Sequence, residues 1–513
     1  MRLFTTIAAL QCYLNLHRAN LSTTSVGLVP TMGALHQGHL SLIDRARQDN
    51  TLVVVSIFVN PLQFAPNEDF KEYPRQLDKD REICQKVGVD AIFAPSPEEI
   101  YGGFPESSIS SYLVVPPPEM TSVLCGKYRP SHFQGVSTIV TKLLNIVQPT
   151  RVYFGQKDAQ QVSILQRLIN DLNMSVEMVV CPTVREPSGL AFSSRNQYLT
   201  PQQQEQALVL SHALRQGEKV LLQGDRAASA ILAAAGAELI KVPGVQLQYL
   251  ELVDPQTLMP LETVEESGLL AIAAYVGSTR LIDNIILRNR QPIVAIDGPA
   301  GAGKSTITKL VAKTLGLIYL DTGAMYRAVT WLVLNLGVSV EDQPAISELV
   351  SQCQIEFKLN GVTPRIEINN HDVTEAIRTS EVTGNVSTIA AQPEVRKFMV
   401  KQQRSFGKKG GMVAEGRDIG TNVFPDAELK IFLTASLQER ARRRLKELQE
   451  MGETISAQQL EKEIALRDEK DSTRDIAPLR KAEDAIEILT DGLTIDQVLQ
   501  KIVNLYQRVI GNG

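Results

Sequence analysis

The sequence predicts an α/β chain. It begins with a doubly wound parallel sheet, continues into a smaller α+β segment, and ends in a second strand–loop–helix unit built around a phosphate loop. Three observations predict this. From Leu21 to about Val180, short β-branched runs alternate with helical patterns, as a parallel sheet with crossover helices does. Between Pro201 and Leu287 the texture turns to an Ala/Gln/Leu-rich helix followed by two strand-like runs. Further on, GPAGAGKST (Gly298–Thr306) directly follows an apolar strand, which is the context its pattern requires.

The opening MRLFTTIAALQCYLNLHRAN reads as a strand and an amphipathic helix, without the apolar core and cleavage site of a signal peptide. Buried strands are expected at 25–30, 51–60, 89–95, 151–155 and 175–180, with crossover helices at 39–50 and 159–172. In such a sheet, polar groups at the carboxyl ends of the strands are the place to seek a site. VQLQYLELVD and GLLAIAAYVG supply the strands of the smaller segment, and NRQPIVAID restarts the pattern. The expected domains are therefore 1–185, 186–287 and 291–513.

Composition sets outer limits. At roughly 150 residues per domain, 513 residues predict about three or four. A hydrophobic content of 43%, a charged content of 21% and a net charge of −5 are those of a soluble protein without a global basic footprint. That argues against bulk binding to nucleic acid or anionic membrane. Five scattered cysteines without a CxxC pair argue for a reducing compartment. No run reaches the ~20 apolar residues of a membrane span, so a cytoplasmic location is expected.

The phosphate loop is the strongest local signal. Gly298, Pro299, Ala300, Gly301, Ala302 and Gly303 lead into Lys304, Ser305 and Thr306. Glycines let successive N–H groups converge on phosphate oxygens, and the following helix adds its positive end. Lys304 is expected to neutralise the β/γ-phosphates of ATP and Ser305 to hold Mg²⁺. LDTGAMYR (320–327), EGRDIGTNVFPDAELKIFLTAS (415–436) and RDEKDSTRDIAPL (467–479) follow. With these, residues 291–510 closely resemble the bacterial cytidylate kinases. The resemblance implies a P-loop nucleoside-monophosphate kinase fold that transfers phosphoryl from ATP to CMP or dCMP. It also implies that Ser387, Arg396 and Asp418 read the cytosine, that Arg467 and Asp471 hold the sugar, and that Arg417 and Arg474 hold the phosphates. Thr322 stands where that pattern commonly has serine. The arginines of ERARRRLKE (439–447) are explained in part as solvated charges paired along an exposed helix.

PTMGALHQGH (30–39) admits three readings from the residues alone: a metal pair, a structural turn, or a nucleotide cradle at the start of a helix. A metal pair lacks a ligand-spaced third partner. FVNPLQF (58–64), YPRQLDKD (73–80), YRPSHFQGVSTIVTKLLNIVQP (128–149), FGQKDAQQ (154–161) and REPSGLAFSSRNQYL (185–199) come afterwards in order. With them, residues 1 to about 285 closely resemble the bacterial pantothenate synthetases, relatives of the class I aminoacyl-tRNA synthetases with a Rossmann-like nucleotidyltransferase domain.

That resemblance implies ATP-dependent condensation of pantoate with β-alanine through pantoyl-adenylate, and a homodimer formed through the first domain. Met32, Gly33, Ala34, Leu35, His36, Gln37, Gly38 and His39 would wrap the ATP, His39 being the proton donor. Gly155, Gln156, Lys157, Asp158, Val184, Phe192, Ser193, Ser194 and Arg195 would complete that site, with Gln63 and Gln161 on pantoate. His36, His39, Lys157 and Arg195 are the groups able to stabilise charge building on phosphate oxygens. Asp158 has two open readings, a helix N-cap or a direct contact to Mg²⁺ or ribose. Asn60 is a weaker positioning candidate, and Ser188 stands where many relatives carry an acidic residue. Mg²⁺ with ATP is the expected cofactor, and small molecules are the expected partners. Two other functions stay open at this level: a tRNA-related adenylating factor with a P-loop motor, and a chain with one half retained as inactive scaffold.

Overall fold

A computed structural model describes residues 1–20, 24–65, 68–102, 111–358, 365–450, 456–474 and 477–510. The chain divides into two compact units, Met1–Asn289 and Arg290–Gly513.

In the first unit, strands β1 (Arg2–Phe4), β2 (Val26–Thr31), β3 (Leu52–Ile57), β4 (Ala91–Phe93), β5 (Arg151–Gly155) and β6 (Glu177–Cys181) form one sheet of order β1-β4-β3-β2-β5-β6. Every pairing is parallel. Both faces are covered, so β2 and β3 read as near-continuous apolar runs. The chain winds one way from β2 to β3 and the other way from β5 to β6. The reversal leaves a crevice beyond the carboxyl ends of β2 and β5.

Three longer strands, β7 (Val245–Val253), β8 (Ser267–Val276) and β9 (Thr279–Arg288), form an antiparallel sheet with β9 at its edge. β8 is apolar almost throughout because both faces are buried. One face packs on the helices Pro201–Leu222 and Ala228–Ile240. The other meets Leu124, Phe133 and Ile164.

The second unit is built on β10 (Ile293–Asp297), fully buried at the centre of a parallel sheet. Its other strands are β11 (Ile318–Asp321), β15 (Met412–Gly416), β16 (Leu429–Thr434) and β17 (Ile486–Leu489), in the order β11-β15-β10-β16-β17. Between β11 and β15 the chain adds a small antiparallel sheet, β12 (Ile355–Lys358), β13 (Arg365–Ile368) and β14 (His371–Asp372). The helix after β10, Lys304–Leu315, begins within the phosphate-loop motif, because Gly303 in the left-handed region turns the loop into it.

Candidate functional site

In the first unit the crevice is a chamber of about 250 Å³. Its lining includes Met32, His36, Gly38 and His39 after β2, Gln63 after β3, and Gly155, Lys157, Asp158 and Gln161 after β5. Val184, Phe192, Ser193, Ser194 and Arg195 close it from the segment after β6. The remaining loop residues do other work. Gly33 and Ala34 take left-handed backbone, and the amides of Ala34 and Leu35 donate to the buried Asp80 carboxylate at 2.9 and 2.8 Å. Gly33, Ala34, Leu35 and Gln37 are not among the lining residues, so they shape the loop.

The two histidines cap their own helix, Gln37–Asp49. His36 Nδ1 accepts from Gly38 N at 3.1 Å, and His39 Nδ1 accepts from His36 N at 3.3 Å. An imidazole whose Nδ1 accepts carries its proton on Nε2. Burial and the nearby Lys157 push His36 down to about 4; burial, His36 and Lys157 push His39 down to about 3. Both rings, stacked 4.1 Å apart, are therefore neutral Nε2–H donors at neutral pH. The cations lining the chamber are Lys157, Arg195 and Arg129.

Gln63 is fixed from several sides. Its amide meets Asn60 Nδ2 at 3.0 Å and Met32 Sδ at 3.3 Å. Its carbonyl accepts from His132 Nδ1 at 2.7 Å and Arg129 Nη2 at 3.3 Å. Asn60, 1% exposed, also accepts from the Tyr101 hydroxyl at 2.7 Å. Burial and Arg129 push His132 down to about 4. Arg195 pairs with Asp69 through two bonds of 3.0 and 2.9 Å, and Arg129 with Glu68 at 2.5 and 2.6 Å. Arg129, His132, Glu68 and Asp69 were missed by sequence reasoning; the quoted 128–149 segment carried the first two without a role. Asp158 stands at the N-cap of the helix Ala159–Asp171 but makes no side-chain cap bond, which removes the physical basis of the capping alternative. Ser188 serves its own turn, accepting from Leu190 N at 3.4 Å.

In the second unit the phosphate loop is folded on itself. Lys304 Nζ donates to the carbonyls of Gly298 and Pro299, both at 2.7 Å. Burial and Arg417 push that ammonium well below its ordinary value. Ser305 Oγ donates to Glu415 Oε1 at 2.8 Å, as does the Tyr319 hydroxyl at 2.7 Å. Glu415 Oε2 is buried without a partner among the described residues. Burial and Asp321 raise this carboxyl, which opens the 415–436 motif without a role that the motif itself announces. Thr322 keeps the hydroxyl expected there and donates to Glu415 O at 2.6 Å.

Facing this loop, Arg396 pairs with Asp418 at 2.6 Å, Arg474 with Asp418 at 3.5 Å, and Arg417 with Asp471 at 2.8 Å. Burial alone would raise Asp418, yet Arg396 and Arg474 hold it below the ordinary range. Arg467 feels Arg417 and Asp471. Ser387 is exposed on the helix Ser380–Ala391, outside this ion-pair network. Asp297, held at about 6 by burial, accepts the amides of Ile419 and Gly420 at 2.8 and 2.7 Å and so fixes the turn that follows Asp418.

The surface-charge explanation of residues 439–447 holds for Arg442, which is exposed and paired with Glu439. It fails for Arg440. That residue is buried, bonds Asp468 at 2.6 Å, and donates to the Ala300 carbonyl of the phosphate loop at 3.2 Å. Residues 475–476, within the quoted 467–479 motif, lie outside the described residues.

Comparison with known proteins identifies the two halves of the chain. A family model described as Pantoate-beta-alanine ligase matches residues 2–286, and one described as Cytidylate kinase matches residues 294–508. A protein of Trichodesmium erythraeum called bifunctional pantoate ligase/cytidylate kinase is 61% identical over 99% of this chain and 98% of its own length. A Nostoc protein of the same name is 58% identical over 99% of both chains. Among solved structures, the pantothenate synthetase of Thermus thermophilus is similar with 44% identity and a TM-score of 0.51, covering 56% of this chain and 99% of its own.

Proposed function

The chain belongs to the family of bifunctional pantoate ligase/cytidylate kinases, and from that premise we propose how each unit performs its half of the chemistry. The first unit is a pantoate–β-alanine ligase that consumes ATP, and the second is a cytidylate kinase that phosphorylates CMP or dCMP.

In the ligase, the pantoate carboxylate attacks the α-phosphorus, and pyrophosphate leaves. Negative charge builds on oxygens that Lys157 and Arg195 neutralise and that His36 and His39 meet as neutral donors. The observation that carries this reading is the tautomer of the two rings, each with Nδ1 engaged by backbone and Nε2–H left for a ligand. His39 thus acts by holding its proton in a hydrogen bond; a free acid of pKa about 3 would not be protonated at pH 7. Gln63, with its amide braced by Asn60, and Gln161 flank pantoate and offer donors and acceptors without charge. The β-alanine amine then attacks the acyl-adenylate, with AMP leaving, inside a chamber that shields it from water. The exposed, uncapped Asp158 suits a ribose hydroxyl or a metal-bound phosphate.

In the kinase, Lys304 exchanges two backbone carbonyls for the β/γ-phosphates of ATP. Mg²⁺ fits the donor set there: the Ser305 hydroxyl, Glu415 with one orphaned oxygen, and the neighbouring Asp321 are hard oxygen ligands. When bound, the ion neutralises phosphate charge. The Arg396–Asp418 pair suits the donor and acceptors of cytosine. Arg417 and Arg474 suit its phosphate, Arg467 and Asp471 the sugar, with Ser387 approaching from its helix. The same reading keeps the domain limits 1–185, 186–287 and 291–513, a cytoplasmic enzyme, and a homodimer through the first domain, which light scattering on the purified chain tests.

Two variants test the division of labour. His39→Ala removes one donor to the reacting phosphate and should lower pantoate- and β-alanine-dependent AMP release roughly 100-fold, with CMP phosphorylation unchanged. Lys304→Ala should do the reverse. Full AMP release by a folded His39→Ala chain would remove the role assigned to that residue.

A further inference from the structure

In the antiparallel sheet β7–β9, the edge strand β9 reaches two of the segments that carry residues lining the chamber. Asn284, 6% exposed, sits midway along β9. Its Nδ2 donates to the backbone carbonyls of Gln156 and Lys157 at 3.0 and 2.9 Å. Its Oδ1 accepts from Gln156 Nε2 at 3.4 Å. One buried amide therefore grips both peptides that precede the Lys157 and Asp158 side chains.

The preceding residue grips the opposite wall. Asp283, 4% exposed, takes Arg185 in a bidentate pair of 2.6 and 2.9 Å. Arg185 bridges to Ala191 and donates to the Gly189 carbonyl at 3.3 Å, closing the turn that delivers Phe192 to Arg195. Asp283 also accepts the Asn284 amide at 2.8 Å, which links the two grips.

We infer that Asn284 is a positioning residue for Lys157, and that Asp283 positions Arg195 through Arg185, so that strand β9 sets the separation of the two cationic arms across the chamber. This rests on the reading that Lys157 and Arg195 stabilise the transferring phosphate. The physical need is clear. Lys157 hangs from a one-turn 3₁₀ segment, Gln156–Asp158, with no side-chain cap. Arg195 hangs from a five-residue 3₁₀ segment, Ser194–Tyr198, capped at its start by Ser193 Oγ, which accepts from Arg195 N at 3.3 Å. Short turns of this kind have poor internal hydrogen bonding, so their register is set from outside. A displacement near 1 Å at a charge-stabilising group is enough to cost about 100-fold in rate.

The test uses the full chain and pantoate-dependent exchange of pyrophosphate into ATP, which reports adenylate formation without β-alanine. Asn284→Asp keeps size and shape but turns a carboxylate oxygen toward two carbonyls. It should lower the kcat of exchange by roughly 10- to 100-fold with the KM for pantoate within about twofold, while CMP phosphorylation by the same molecules is unchanged. Asp283→Asn should give a smaller loss of the same kind. If Asn284 acts through Lys157, then Lys157→Ala with Asn284→Asp is no worse than Lys157→Ala alone. Losses that multiply in the double variant, or a thermal midpoint that falls while kcat of exchange holds, overturn the proposal. Should Lys157→Ala by itself retain full exchange, the underlying reading fails first, and the positioning role falls with it. Asn284→Ser, which keeps a single donor, serves if Asn284→Asp does not fold, and an intermediate loss is expected.

Discussion

At the scale of single residues, the ligase chamber is built from groups whose charge state is set by their neighbours. Glu68 shows the balance: burial would raise its carboxyl, but Arg129 holds it below the ordinary range. Glu415 shows the opposite result, because burial and Asp321 outweigh Lys304, and the consequence is testable. Glu415→Gln keeps an oxygen for Ser305 and Tyr319 but removes the negative charge beside Ser305. Kinase turnover should fall by more than about tenfold and half-saturation with Mg²⁺ should move upward, as expected of lost charge near a hard cation. An unchanged Mg²⁺ titration would place Glu415 outside the metal's reach. The contiguous signatures Met32–His39, Gly155–Asp158 and Gly298–Ser305 were legible in the sequence. Glu68, Asp69, Asp283, Asn284 and Arg440 were not. Each acts through a partner 61 to 140 positions away, and a single sequence does not encode that pairing in local spacing.

At the scale of elements, the Gln63 side of the chamber depends on how closely a helix approaches a turn. The helix His132–Val147 lays Gly135 directly on the Leu62 carbonyl, so that an added Cβ would overlap that backbone oxygen. Asn60 Nδ2 donates to the Gly135 carbonyl at 3.1 Å across the same contact. Gly135→Ala must push the Pro61–Gln63 turn aside, and overpacking of this kind typically costs about 1–3 kcal/mol. Because the displaced atoms carry Gln63, the KM for pantoate should rise several-fold before overall stability fails. Isothermal titration with pantoate, compared with nucleotide, checks it; equal weakening of both ligands would argue for general unfolding. The strands and crossover helices could be read from apolar runs, since burial on both faces leaves a direct mark on composition. The clamping role of β9 could not, because hydrophobic periodicity reports which face is buried and says nothing of what buries it.

At the scale of the whole molecule, the buried titratable groups of the two units are shifted in different directions, and a different response of each unit to acid is expected. In the first unit His36, His39 and His132 are held at about 4, 3 and 4, whereas in the unfolded chain they titrate near 6.5. Between these values the unfolded state binds more protons, so the stability these three imidazoles contribute is fully present above about pH 6.5 and is lost as pH falls toward 4. In the second unit Asp297 lies at about 6 and Glu415 is also raised. For these two carboxyls the folded state binds more protons between the unfolded carboxylate value and about 6, so their contribution grows in mild acid. Lys304, held well below its ordinary value, opposes that gain at any pH above its folded value. Asp418, held low by Arg396 and Arg474, offsets part of that gain and begins to count only at lower pH. Calorimetry from about pH 7.5 to 5 should therefore show one transition moving down while the other holds or rises. The assignment follows from ligands, since each stabilises only the unit that binds it. CMP should shift the acid-resistant transition, and pantoate the acid-sensitive one. His39→Gln, which cannot titrate, should reduce the slope of the first without touching the second. Two transitions that fall in parallel would mean that carboxylates common to both units, and not the three buried imidazoles, govern the acid response.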